Sequence, residues 1–317
     1  MSDFPQKGAK QLPGLDVLKF GMALVVVSIH ARLFKEIGWL FDFVHPLKYS
    51  AVPVFFVVSS WLFFSRGQIG AKELGHYVKR LGLFYVFWFV LLLPITAGIR
   101  KWHSHFDFSE FLQNLFLGST FRGSWFIMSL LIGVPVIHFA RRILHPFILL
   151  FVTFAIHLPF QYPEWWPNLT WGQFSFVPSL LWIDIGALLA SQSLESIPGK
   201  RGGYWILLLP LLYGGMLFHD WEPLLKPAFV IALFLCFLDC PIHPRPVYLT
   251  MRKMSVLIFV VHFVFNNAVS NLALRGFPVL NNSFVHYFVI LGCAALVAWT
   301  ILKLQTKRFF GWLKYGM

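Results

Sequence analysis

Long apolar segments recur along this chain of 317 residues, and they constrain its fold more than any other feature. A membrane helix needs ~20 apolar residues, because each residue rises ~1.5 Å and the hydrocarbon core is ~30 Å thick. Hydrophobic residues form 58% of the chain and charged residues 12%, against roughly 25% charged residues in soluble domains. Ten spans are predicted, at 15–34, 46–65, 81–99, 124–140, 145–160, 174–191, 203–218, 223–239, 254–272 and 284–303.

The sequence therefore predicts an all-α polytopic membrane protein with about ten transmembrane helices, in a single domain covering 1–317. Ten spans leave both termini on one side, and the distribution of basic residues indicates the cytoplasmic side. With that orientation, 17 of the 26 Lys and Arg residues fall in inner segments and 8 in outer segments. This bias agrees with the positive-inside rule. We expect an integral protein of a bacterial inner membrane.

The formal net charge of +13 does not indicate a nucleic acid as partner, because the basic residues lie between hydrophobic spans. Topology and contact with membrane lipids account for the excess charge. The three cysteines lie in or beside apolar segments, without a disulfide pattern. His103 and His105 have no neighbouring ligands in the sequence, so no metal site is expected.

The first span carries three ionisable residues, Asp16, Lys19 and His30. At about 100° per residue, Lys19 and His30 lie nearly in line on one helix face, with Asp16 close to the same line. Ionisable residues within a membrane usually face a protein interior or a cavity and mark a functional path. The alternative is that Asp16 and Lys19 lie at one membrane interface and His30 at the other.

Later segments supply further candidates, each with a structural alternative. Ser59 on the second span is a hydrogen-bond donor for a ligand or a packing contact. Arg66, Lys79 and Arg80 are basic residues on the cytoplasmic side that could hold phosphates, although positive-inside bias alone also explains their position. His262 on the ninth span is a site residue or an interhelical hydrogen-bond bridge.

An acidic residue, Asp184, occurs deep in the sixth span and needs a partner or a cavity. Lys19 and Arg100 are the candidate partners, and the sequence does not choose between them.

Four stretches together resemble the acyltransferase-3 family of integral membrane O-acyltransferases. The opening PGLDVLKFGMALVVVSIH resembles the family pattern G-L-D-x-L-R followed by apolar residues and a histidine. The stretches VPVFFVVSSWLF, SWFIMSLL and KMSVLIFVVHFVF resemble three later family segments, in the same order. In this chain Lys19 replaces the usual arginine, so the charge is kept and the planar two-pronged donor is lost. Ser60 replaces a glycine.

The resemblance implies a ten-helix enzyme that moves an acyl group, usually acetyl, from cytoplasmic acyl-CoA to a hydroxyl of a cell-surface glycan or lipid-linked acceptor. It implies His30 and Lys19 as catalytic residues. Cofactor contacts are then expected from Arg66, Lys79, Arg80 and Ser59, and substrate contacts from Asp16, Trp125 and His262. Two alternatives stay open at this point: a non-enzymatic transporter or flippase for a lipid-linked sugar, and an acyltransferase-like sensor without catalysis.

Overall fold

A computed structural model describes residues 12–96, 124–162, 176–192, 203–218 and 220–305. Within these ranges the chain is helical and contains no strand. The helices are α1 Pro13–His30, α2 Gly38–Phe43, α3 His45–Phe64, α4 Ala71–Thr96, α5 Ser124–Ile143, α6 Pro146–His157, α7 Phe176–Ser191, α8 Gly203–Met216, α9 Glu222–Leu238, α10 Pro246–Leu274 and α11 Ser283–Leu304. Short 3₁₀ turns follow α6 at Leu158–Phe160 and precede α11 at Pro278–Asn281.

Each of the ten predicted segments overlaps one of these helices, and α2 is the additional short element. Five stretches are long and apolar enough to cross a membrane: Pro13–His30, Gly38–Phe64, Trp125–Ile143, Pro246–Leu274 and Ser283–Leu304. Helices α6, α7 and α8 are apolar but shorter. The helical architecture and these five stretches are those of an integral membrane protein.

Helix α1 ends at His30, four residues before the predicted end of the first span. The chain reverses there because Arg32 and Phe34 adopt positive φ angles of 51° and 72°, a conformation that costs energy in residues with a Cβ. Neighbouring contacts hold this turn in place: Ser283 at the start of α11 donates a hydrogen bond from its backbone N–H to Glu36 at 2.8 Å. The Ser283 hydroxyl also donates to Glu36 and accepts from the Phe34 amide. The turn therefore connects the His30 end of α1 to α11.

Helix α3 lies at the centre of the bundle and packs against α7, α1 and α9. Its contact with α7 is close because Gly186 faces it. A Cβ at position 186 would overlap the Ser60 hydroxyl and would lie 2.5 Å from the Val57 carbonyl oxygen. Small residues allow helix backbones to approach in membrane proteins, where packing rather than water exclusion drives association.

An ion pair joins α1 to α10 near the opposite end from His30. The Arg252 guanidinium donates to both carboxylate oxygens of Asp16, at 2.6 and 2.9 Å. This two-pronged geometry fixes orientation as well as supplying energy. It sets the register in which α1 and α10 run side by side toward His30 and His262.

Candidate functional site

A cavity of about 560 Å³ opens among the helix ends on one side of the bundle. Its wall includes the last residue of α1, His30, the first residue of α3, His45, and the last residue of α6, His157. Glu222, the first residue of α9, also lines it. The volume lies within the ~300–1,000 Å³ typical of small-molecule sites. The predicted orientation puts all of these helix ends on the outer side.

Two imidazoles meet at the inner part of this cavity. The ring centroids of His30 and His262 are 5.2 Å apart, and both rings contact Phe263, at 4.3 and 4.7 Å. His262 is fully buried, and its Nδ1 lies 3.1 Å from the Ile258 carbonyl oxygen. Since a carbonyl only accepts, Nδ1 carries the proton in this contact, and Nε2 is the acceptor in the neutral ring. That Nε2 atom has no hydrogen-bond partner among the described residues.

Charged side chains line the wall formed by α9 and the start of α3. Glu222 pairs with Lys226 at 2.9 Å, one helical turn along α9, and lies 3.5 Å from Nδ1 of His45. Both Glu222 and Lys226 are buried. Lys48 also lines the cavity, and its ammonium donates to the Leu33 carbonyl oxygen at 2.7 Å.

Aromatic and hydroxyl groups make up much of the remaining wall. Trp182 contacts the His157 ring edge-on at 5.2 Å between centroids, and Nδ1 of His157 donates to the Pro178 carbonyl oxygen at 2.8 Å. Trp125 and Ser179 line the same space. A wall of aromatic faces with scattered polar groups suits a ligand that has both apolar faces and hydroxyls.

Phenylalanine rings close the inner end of the cavity. Phe56 and Phe126 have centroids 4.6 Å apart, and Phe126 lies 5.3 Å from Phe259. Phe55 contacts both Phe126 and Phe259, at 6.0 and 5.7 Å. We call Phe55, Phe56, Phe126 and Phe259 the aromatic floor. Phe56 and Phe259 of the floor line the cavity, and along α10 Phe259 lies between Arg252 and His262.

A second polar cluster lies toward the first residues of α1, at the end of the helix away from His30. Lys19 is partly buried and interacts electrostatically with Asp16, Arg252 and Arg80. We call Lys19, Arg80 and Arg252, together with Asp16, the basic cluster. Three positive charges from α1, α4 and α10 against one carboxylate are a favourable surrounding for a polyanion. Along α10 the ten residues from Arg252 to His262 correspond to about 15 Å. The basic cluster and the imidazole pair are therefore two sites on the same helices.

The structure assembles some of the predicted site residues and separates others. His30, His262 and Trp125 line the cavity together. Lys19 and Asp16 lie in the basic cluster, so the cavity does not unite Lys19 with His30. Asp16, predicted to contact substrate, is engaged by Arg252 and is not among the cavity residues.

The remaining predicted contacts lie toward the Lys19 end. Arg66, Lys79 and Arg80 are exposed, and Ser59 is partly buried outside the cavity wall. Of these, Arg80 interacts electrostatically with Lys19, whereas Arg66 does so with Tyr77.

Sequence reasoning missed most of the polar wall and one member of the basic cluster. These residues are His45, Lys48, His157, Glu222, Lys226 and Arg252. One signal was available, because Glu222 and Lys226 are four residues apart at the start of a predicted span and so share a helix face. In the sequence, Lys48, Lys226 and Arg252 contribute only to the distribution of basic residues that indicates the orientation of the chain.

The acidic residue of α7, Asp184, is buried and interacts with two neighbouring helices rather than with Lys19. Its Oδ2 lies 3.4 Å from the Thr153 hydroxyl on α6, and Arg141 on α5 interacts with it electrostatically. Its Oδ1 has no hydrogen-bond partner among the described residues. Arg100, the other predicted partner, lies outside the described ranges. Asp184 does not line the cavity.

Comparison with known proteins finds a distant similarity to one curated protein. No family model matches the chain, and no solved structure matches it. A curated protein of Enterococcus faecalis named amino-acid racemase is 19% identical over 328 residues, which cover 93% of this chain and 46% of the relative. The chain thus spans about half the length of the curated relative it matches, and more than half of that relative has no counterpart here.

Proposed function

We propose that this protein is a membrane O-acyltransferase that moves an acyl group, acetyl being the expected one, from cytoplasmic acyl-CoA to a hydroxyl of a cell-surface glycan or lipid-linked acceptor. The proposal includes ten membrane-spanning helices with both termini in the cytoplasm. The observation that carries it is the imidazole pair of His30 and His262 in a cavity of about 560 Å³. Neutral imidazoles in a partly buried cleft are the usual proton acceptors near neutral pH.

The proposed chemistry follows from the position of His30. A ring nitrogen of His30 accepts the proton of the acceptor hydroxyl while that oxygen forms a bond to the thioester carbonyl carbon. The carbon–sulfur bond then breaks, and the thiolate takes the proton back from His30 and leaves as free CoA. The acceptor carries the new ester, so atoms and charge balance. General base catalysis of this kind contributes about 10²–10⁴-fold to a rate.

His262 supports this role through its tautomer. The Ile258 carbonyl holds the proton of His262 on Nδ1, so Nε2 is available to accept an N–H from His30. We propose that this contact forms when His30 is engaged with the acceptor and orients the His30 ring, much as a carboxylate orients the histidine of a catalytic triad.

The donor side of the proposal rests on the basic cluster. Lys19, Arg80 and Arg252 offer positive charge at the end of the bundle that the loop charges assign to the cytoplasm. Phosphates of CoA suit such a cluster, since charge-assisted hydrogen bonds are the strong ones. The pantetheine arm would then extend along α1 and α10 toward His30. This route passes the aromatic floor, because Phe259 lies between Arg252 and His262 along α10.

The decisive experiment measures transfer of radiolabelled acetyl from acetyl-CoA by the purified full-length protein to surface glycans from cells that lack it. We expect His30→Ala to reduce transfer by at least about 10²-fold, because the proton acceptor is lost. His286→Ala is the matched control, because His286 is a partly buried imidazole on α11 that does not line the cavity.

Two results would contradict the proposal. One is full transfer activity in His30→Ala. The other is movement of a lipid-linked sugar across vesicles with no consumption of acyl-CoA, which is the behaviour of a carrier. The name of the relative, amino-acid racemase, neither supports nor opposes acyl transfer.

A further inference from the structure

Lys48 is a buried lysine that forms no ion pair with a carboxylate of the described residues. Only 5% of its surface is exposed, although it lines the cavity. Its ammonium donates to the Leu33 carbonyl oxygen and lies 4.4 Å from the centroid of the Phe41 ring. The ion pairs among the described residues are Lys35–Glu36, Lys226–Glu222 and Arg252–Asp16, with His45 close to Glu222 at 3.5 Å, and Lys48 belongs to none of these contacts.

Such a charge is costly unless something compensates it. Buried charges are normally paired with an opposite charge, because their lost hydration must be replaced. An ammonium has three N–H donors, and the Leu33 carbonyl accepts from one of them. The Phe41 ring supplies a weaker cation–π contact. A negatively charged group in the cavity would accept hydrogen bonds from the other N–H donors of Lys48 and compensate its charge.

The wall formed by α9 and the start of α3 has one carboxylate among its described residues, Glu222, and its charge is already compensated. Glu222 is already paired with Lys226 at 2.9 Å and is close to His45, so its charge is compensated within the wall. Counting Lys48, Lys226 and Glu222, and taking the histidines as neutral, the charged lining carries a net charge of +1. That net charge matches a ligand with one negative charge.

We infer that the cavity binds an acceptor sugar that carries a single negative charge, a carboxylate or a phosphodiester, and that this group pairs with Lys48. The sugar ring lies against the aromatic faces of Trp125 and Trp182, and one of its hydroxyls reaches His30. Calling this ligand the acceptor rests on the proposed acyltransferase function. The binding itself does not require that function.

The test is calorimetric binding to the purified full-length protein in an uncharged detergent, without acyl-CoA. The probes are methyl glucuronide, methyl glucoside and the methyl phosphodiester of methyl glucoside at its 6-position. The first and third carry one negative charge, whereas methyl glucoside is the uncharged match. We expect the charged probes to bind about ten- to hundredfold more tightly, the effect of hydrogen bonds to an ionised group. Comparing the two charged probes tells the carboxylate from the phosphodiester.

Variants assign the preference to the side chain. Lys48→Met keeps the length of the chain and removes the charge, so it is expected to abolish the preference. Lys48→Arg keeps the charge and is expected to retain a preference for the charged probes. Comparing it with Lys48→Met separates recognition of the ligand charge from the effect of losing the hydrogen bond to the Leu33 carbonyl. Lys35→Met is the control, because Lys35 is an exposed lysine on the neighbouring turn and does not line the cavity.

Equal binding of charged and uncharged probes, no binding of either charged probe, or a preference that survives in Lys48→Met would each overturn the inference. His30→Ala separates the two proposals. His30→Ala should lose acyl transfer and keep the preference for charged probes. If the unmutated protein shows that preference but transfers no acetyl group, the result counts against the acyltransferase function alone.

Discussion

The ring of His262 is fixed by its own helix before any ligand arrives. Its Nδ1 donates to Ile258, one turn earlier on α10, and this fixes the atom that is left as acceptor. A buried acceptor without a partner is unfavourable, and such groups are rare in folded proteins. At 5.2 Å between ring centroids, a small rotation of His30 brings an N–H within reach of Nε2.

We therefore predict that His262→Leu lowers kcat about a hundredfold, the cost expected when a catalytic group is slightly misplaced. KM for the acceptor should change little, and the pH dependence of kcat should shift because His30 loses its neighbour. His262→Gln offers a side-chain oxygen as acceptor and should recover part of the rate. A purely packing role would instead lower thermal stability and leave the pH dependence unchanged in the surviving enzyme.

Asp16 was predicted to contact substrate, and in the structure its carboxylate is engaged by Arg252. Its side chain is mostly buried, whereas that of Arg252 is 42% exposed. Both carboxylate oxygens are occupied by the guanidinium. This geometry favours a structural contribution to the contact between α1 and α10 over direct contact with a ligand.

We predict that Asp16→Asn lowers the free energy of unfolding by about 1–3 kcal/mol, since one partner of a charged hydrogen bond is removed. Titration with a denaturing detergent measures the change. Asp42→Asn, at an exposed position of α2, is the control and should be nearly neutral. Unchanged stability combined with a raised KM would indicate the substrate contact that the sequence suggested.

At the scale of elements, the contact between α3 and α7 determines where the cavity wall lies. Helix α3 contributes His45, Lys48 and Phe56 to the wall, and α7 contributes Ser179 and Trp182. Their close approach at Gly186 fixes the distance between these two parts of the wall. A larger separation of α3 and α7 would therefore change the shape of the cavity as well as lower the stability of the protein.

Gly186→Ala is accordingly expected to destabilise the protein by about 1–3 kcal/mol, the usual cost of overpacking. Its Cβ would meet the backbone of α3 as well as the flexible Ser60 side chain. Gly75→Ala is the control, because a Cβ there meets nothing within 4 Å and the residue is exposed on α4. That control should be neutral or stabilising by up to about 1 kcal/mol, the helix propensity difference. If both variants unfold alike, the close approach is not needed.

At the scale of the whole molecule, two polar sites lie at different depths of a single helical bundle. The cavity gathers the ends of α1, α3, α6 and α9, and the basic cluster lies about 15 Å away along α10. Phe259 of the aromatic floor lies between them along α10.

The orientation of the bundle is open to a labelling test in intact cells. In a variant with Cys236, Cys240 and Cys293 replaced by alanine, we expect a membrane-impermeant maleimide to modify Arg275→Cys and not Ser65→Cys. Both positions are exposed, at the ends of α10 and α3. Permeabilised cells should label at both positions, which controls for reactivity. The reverse pattern would place the cavity on the cytoplasmic side.

The sequence by itself determined the helices of this protein, because the hydrophobicity of ~20 consecutive residues is a local property that does not depend on how the helices pack. It also singled out His30 and His262, since ionisable residues in apolar spans are costly and therefore informative. Trp125 was suggested by the family resemblance. Only the tertiary structure decided that His30 meets His262, that Lys19 lies apart from His30, and that Lys48 joins Glu222 and Lys226 around one space. Those distances depend on how separate helices pack, on the turn after His30 and on the close approach at Gly186, and no periodicity within a single helix encodes them.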